Sequence, residues 1–123
     1  MNVPEPPLLV LEHDEPEPGV TQLVLRGECD LSEAARLAEA IEAVSPGARE
    51  VRLDISGLEF LDSTALRVLC RAKADLESAR SRLVLLYPTP PIRRVLEIAG
   101  LWDFFRIEDG RSSSVSRLEA SAP

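Results

Sequence analysis

The sequence predicts an α/β domain, a mixed and mainly parallel β-sheet of four to five strands flanked by four helices. Three observations predict it. Apolar runs with two-residue alternation, such as Val51, Leu53 and Ile55, give way to helical stripes such as Ala65, Leu69, Ala72 and Leu76. The resulting order, ββαβαβαβα, implies right-handed crossovers onto parallel neighbours. Helix start and stop residues fall where the period changes: Asp62-Ser63 before one stripe, Thr89-Pro90-Pro91 before another, Gly100 after it.

Residues 1–7, with Pro4, Pro6 and Pro7, read as an extended tail ahead of one domain spanning 8–120, and 121–123 as a second tail. Leu8 to Leu11 make a short first strand, and His13 to Gly19, with Pro16 and Pro18, a polar acidic loop. Val20 to Arg26 alternates as a second strand, and Gly27, Glu28, Cys29 and Asp30 connect it to a helix over Ser32 to Val44. Ala35, Leu37, Ala38 and Ile41 are its expected core face, and Pro46-Gly47 ends it. The third strand holds Val51, Leu53 and Ile55, with a turn at Ser56-Gly57 before Leu58, Phe60 and Leu61 return to apolar surroundings. A second helix starts near Ser63. Leu66 and Val68 widen its stripe, while Arg67, Arg71 and Lys73 lie mostly outside it.

Arg82 to Tyr87 is a fourth strand, whose unbroken Leu83, Val84, Leu85, Leu86 run suits burial on both faces. Thr89 is expected to cap a third helix, with proline tolerated in the first turn where an N–H has no intrahelical partner. Gly100 ends it, with Leu101 or Trp102 folding back over the last turn. Phe104 to Ile107 is a short last strand, and Ser112 to Ala120 a closing helix.

Composition narrows the function. A formal charge of -7, from 14 basic and 21 acidic residues, argues against nucleic acid and anionic lipid surfaces, both of which call for a basic patch. The expected partner is a protein. Cys29 and Cys70, far apart and in no metal-spaced cluster, read as free thiols of a reducing compartment. The first 20 residues carry five acids and no Lys or Arg, so no secretory signal is read there, and no segment has the ~18 to 20 apolar residues of a membrane span. A cytoplasmic protein is expected.

The segment Leu61 to Leu69, LDSTALRVL, sets Asp62, Ser63 and Thr64 where a buried strand turns into a helix. Asp62 or Ser63 can cap that helix, a contact of ~1 kcal/mol. A capping hydroxyl also lies at the surface, open to modification. Catalysis is not expected: His13, the only histidine, lies in the acidic segment, and there is no G-x-S-x-G elbow, glycine-rich phosphate loop or H-E-x-x-H pair. No cofactor or metal is implied.

Three stretches together resemble the STAS domain family, and within it the bacterial anti-sigma factor antagonists. RGECD at 26–30 is similar to the family's G-E-[LIV]-D loop, FLDSTALRVL at 60–69 to its F-[ML]-D-S-[ST]-G-L-x-x-L switch, and AGLWDFFRI at 99–107 to its closing G-L-x-x-x-F segment. Ala65 stands where the family usually has glycine, and Arg67 where a second small residue is frequent.

The resemblance implies the STAS fold and a partner that is both anti-sigma factor and serine kinase. It would phosphorylate Ser63, the serine directly after the aspartate, and a phosphatase would reverse this. Unphosphorylated antagonist would bind the anti-sigma factor and release a sigma factor. The family's loop aspartate corresponds to Asp30. Glu28, Asp30, Asp62, Ser63, Thr64, Arg67 and Arg71 are the expected partner-binding residues. Two other STAS roles compete with this one: a constitutive subunit of a transport complex, docking on the ATPase of a lipid ABC transporter, and a ligand-binding sensor or scaffold.

Overall fold

The computed structural model describes residues 8–109. β1 (Leu9–Glu17) and β2 (Val20–Cys29) form an antiparallel hairpin. They are followed by α1 (Leu31–Val44), β3 (Glu50–Leu61), α2 (Ser63–Ser78), β4 (Leu83–Leu86), α3 (Pro90–Ile98) and β5 (Arg106–Glu108). The sheet order is β1-β2-β3-β4-β5, and every pairing after the hairpin is parallel. The mixed, mainly parallel sheet of the expected fold is therefore present, with five strands and, among the described residues, three helices. The tails 1–7 and 121–123 and the closing helix over Ser112 to Ala120 lie outside the described residues.

The sheet's inward residues and the helices close on one core. Leu23, Leu25, Leu53, Ile55 and Leu85 belong to the same buried cluster as Leu37 of α1, Leu69 of α2 and Leu96 of α3. Each fully buried leucine removes apolar surface worth about 2 kcal/mol. Crossovers of one hand, all advancing in the same direction, put the three helices on one face of the sheet. Gln22, Val24, Arg52 and Asp54, which alternate with the core residues, stay partly exposed on the other face.

Several boundaries differ from those expected. The acidic stretch 12–17 is strand rather than loop, and the hairpin turns only at Pro18-Gly19. β1 is an edge strand, where a proline's missing donor costs nothing, and the pairing slips by a bulge between Asp14 and Glu17, around Pro16. Nor are 27–29 a loop, since β2 runs on to Cys29. Ser56-Gly57 makes no turn: β3 continues to Leu61, absorbing the interruption as register shifts against β2. In α1 the core face holds Ala34, Leu37 and Ile41, while Ala35 is exposed, one helical step out of the stripe.

Thr89 occupies the N-cap of α3, but its side chain makes no capping hydrogen bond. The end of α3 is as expected. Leu101 N–H donates to the Leu96 carbonyl (2.8 Å) and Gly100 N–H to that of Glu97 (3.0 Å), with Gly100 at φ +73°. Phe104 belongs to the turn that follows, and β5 begins only at Arg106. There Phe105 is buried in the core, Phe104 meets its ring edge-on, and Arg93 lies over Trp102 at 4.4 Å.

Candidate functional site

Parallel pairing carries β2 and β3 to a common end, because Cys29 pairs with Leu61 and Asp62 N–H donates to the Cys29 carbonyl (3.2 Å). The next residue of each strand, Asp30 and Asp62, is the extended N-cap of a helix. Asp30 Oδ1 accepts from Ser32 N–H (2.9 Å) and from the Ser32 hydroxyl (2.6 Å), and Asp62 Oδ1 accepts from Ala65 N–H (3.0 Å). Two helix starts, each closed by a carboxylate, thus stand side by side. The capping role foreseen for Asp62 or Ser63 falls to Asp62.

Ser63 is then the first residue of α2, exposed, and none of the side-chain hydrogen bonds among the described residues uses its hydroxyl. Thr64 is half-buried beside it and faces the groove between α1 and α2. Ala65 is fully buried, so its methyl points into the core and away from any surface a partner would meet.

Charge at this end is negative. The Ser32 hydroxyl hydrogen bond holds the Asp30 carboxyl below its usual range, so it remains ionised at neutral pH. Glu28 is exposed, directly across from Phe60. Cys29 lies beneath, where burial, with Asp62 adding to it, pushes its thiol up to about 11. A thiol so placed is a packing group and not a nucleophile at neutral pH.

The structure brings Glu28, Asp30, Asp62 and Ser63 together at the sheet end. Thr64 and Arg67 continue the surface down α2, and Arg67 has no carboxylate partner among the described residues. Arg71 is not part of this cluster. It sits eight residues, or ~12 Å of helix, beyond Ser63, and pairs with Asp75 across 3.7 Å with both side chains exposed.

Sequence reasoning missed the apolar members of the surface. Leu31 is 72% exposed directly after Asp30, Phe60 is 46% exposed beside Glu28, and Leu8 is 46% exposed where its carbonyl accepts from Glu28 N–H (2.9 Å). The signal was present at Leu31, which lies off the Ala34, Leu37, Ile41 stripe. Exposed apolar side chains beside charged ones are what a protein-docking surface combines.

Comparison with known proteins bears on the family and the fold. A family model described as "Mlab, STAS domain" matches residues 13–107. The anti-sigma-B factor antagonist of Listeria monocytogenes is 33% identical over 89 residues, 71% of this chain and 77% of that protein. The anti-sigma-F factor antagonist RsfB of Mycobacterium tuberculosis is 33% identical over 90 residues, 72% and 73% of the two chains. Among solved structures, the anti-sigma factor antagonist SpoIIAA in its unphosphorylated form matches with a TM-score of 0.72 at 18% identity, over 93% of this chain and 100% of that one. The phosphorylated form of Bacillus SpoIIAA matches with a TM-score of 0.66 at 19% identity, over 89% and 99%. At such identities the structural likeness speaks for the fold alone.

Proposed function

The chain belongs to the STAS domain family, with relatives of the anti-sigma factor antagonist type, and on that footing we propose that it is a cytoplasmic, non-enzymatic anti-sigma factor antagonist switched at Ser63. It binds an anti-sigma factor that is also a serine kinase, and so releases a sigma factor. Phosphorylation of Ser63 by that kinase ends the binding, and a phosphatase restores it. The observation that carries the reading is the exposed, unengaged Ser63 hydroxyl at the start of α2, at the sheet end where the Asp62 and Asp30 carboxylates cap adjacent helix starts.

Phosphate at Ser63 adds about -1.5 to -2 charges. The start of α2 alone would favour that charge, but its N–H of Ala65 is already taken by Asp62. Asp62, Asp30 and Glu28 make the surroundings acidic, and Phe60 and Leu31 make the contact one that must exclude water. A phosphate pressed into it meets like charge and a desolvation cost together. Weakening the complex 10²- to 10⁴-fold takes only about 3 to 6 kcal/mol.

Incubation with the cognate anti-sigma kinase and ATP should add one phosphate, on Ser63. Ser63→Ala should then hold the kinase under phosphorylating conditions, and Ser63→Glu should bind it at least tenfold more weakly. An unchanged intact mass, or recovery of a transport ATPase by wild-type and Ser63→Glu protein alike, would overturn the proposal.

A further inference from the structure

We propose a second binding site in the groove between α1 and α2, which meets the switch surface at Thr64 and Arg67 but does not include Ser63, and assign it to a single-chain anionic amphiphile with a phosphate head. The groove encloses about 770 Å³, within the range of small-molecule sites. Its α2 wall is one unbroken stripe from Thr64 to Arg80, and Ile41, Val68, Ala72 and Leu76 supply an apolar floor.

Shape selects the occupant. Sixteen residues of helix rise ~24 Å, so the groove is long relative to its volume. A partner helix would lay an apolar face along it, and Glu42, Arg67, Arg71 and Asp75 interrupt the lining with charge. An extended peptide binds through free backbone groups at a sheet edge, and helical walls offer none. A hydrocarbon chain needs no hydrogen bonds.

Charge marks the head-group end. At the foot of α2 the groove shares Arg49 and Arg80 with a recess of about 300 Å³ that Ser81 and Arg82 complete. Arg80 has no carboxylate partner among the described residues; Glu17 is engaged by Arg49 and Glu50 by Arg52 and Arg82, while Glu42 and Asp75 line the groove but not the recess. Ser81 is 9% exposed, and its Oγ is buried with no hydrogen-bond partner among the described residues. The recess itself is walled by the guanidinium side chains of Arg49, Arg80 and Arg82, and the unpaired charge of Arg80 there suits an oxyanion.

The backbone supports the same assignment. Arg80 sits at φ +61° directly after α2, with its N–H on the Glu77 carbonyl (3.0 Å) and the Ser81 N–H on that of Leu76 (2.8 Å). This is the position where glycine is preferred. A long cation held in a left-handed conformation, unpaired, is a strained choice of the kind kept for binding.

The test is an amide-resolved NMR titration of the full chain with 1-lauroyl lysophosphatidate below its micelle concentration, beside inorganic phosphate and dodecyl maltoside. Lysophosphatidate should saturate at one equivalent, with shifts centred on Val68, Ala72 and Ser81, and Arg80→Gly and Arg49→Gln should each weaken it at least fivefold. Arg80→Gly should melt at or above the wild-type temperature, so its loss of binding is not a loss of fold. The assignment fails if Arg80→Gly binds equally well, if the maltoside or free phosphate binds as tightly, or if no saturable shift occurs. Because Ser63 takes no part, Ser63→Glu should bind the probe as wild type does, which separates this result from the fate of the switch.

Discussion

Replacing Asp62 separates the helix-capping role of the switch segment from its charge. Asp62 Oδ1 accepts the Ala65 N–H at 3.0 Å, while the Asp62 carbonyl accepts Leu66 N–H at 3.0 Å through the backbone alone. Asp62→Ala therefore removes one hydrogen bond and one favourable charge at the helix start and leaves the rest of the first turn in place. The cap is worth ~1 kcal/mol and the charge 0.3–1 kcal/mol near the helix dipole, a loss of roughly 1–2 kcal/mol in all. For a domain of this size the melting temperature should fall by roughly 4–10 °C.

Asp62→Asn keeps an equivalent cap and loses only the charge, so its cost should stay below about 1 kcal/mol. Thermal unfolding of the three proteins followed by circular dichroism measures both. If Asn proves as costly as Ala, or Ala melts within 1 °C of wild type, the capping geometry assigned to Asp62 is wrong. With the helix start preserved, Asp62→Asn should also bind the anti-sigma partner more tightly than wild type when Ser63 is phosphorylated, since one of the charges opposing the phosphate is gone.

Two other residues give sharp expectations. Gly27 has φ +100°, and a Cβ there would stand 2.1 Å from the Leu8 carbonyl oxygen that accepts Glu28 N–H. Gly27→Ala should cost at least about 3 kcal/mol in urea unfolding, and a cost under 1 kcal/mol would refute the close approach of β1 to the end of β2. Glu50, 4% exposed, would be raised by burial, but hydrogen bonds from Arg52 and Arg82 outweigh this and hold its carboxyl below the usual range. A depressed folded pKa means stability present above the unfolded value near 4.5 and lost as pH falls through the folded one. Glu50→Gln should therefore be destabilised by roughly 3 kcal/mol at pH 7 and show a shallower loss of stability below pH 4.5. A variant with the wild-type acid profile would show that the pair does not form.

Much of the site was legible because its signals are local. The change of period at Leu61 to Ala65 marks a strand end and a helix start, and Asp30 and Asp62 each carry the side chain that a helix N-terminus prefers. Gly100 and Leu101 encode their own helix end in the same way. Proline and acid at 12–18 misled for the opposite reason. They disfavour a central strand, and nothing in their own stretch says that the strand lies at an edge, where they are tolerated.

The sequence by itself determined the order of elements and the capped start of α2, since each depends on residues within a turn or two of one another. Only the tertiary structure decided that β2 and β3 are adjacent and parallel, which sets Asp30 and Asp62 side by side although 32 residues separate them. It alone set Phe60 beside them, placed Arg71 in an exposed pair with Asp75 a turn beyond Arg67, and gathered Arg49, Arg80, Ser81 and Arg82 at the far end of α2. Such groupings follow from strand register and helix packing, which sum weak contacts across the whole chain and leave no mark in any single stretch of it.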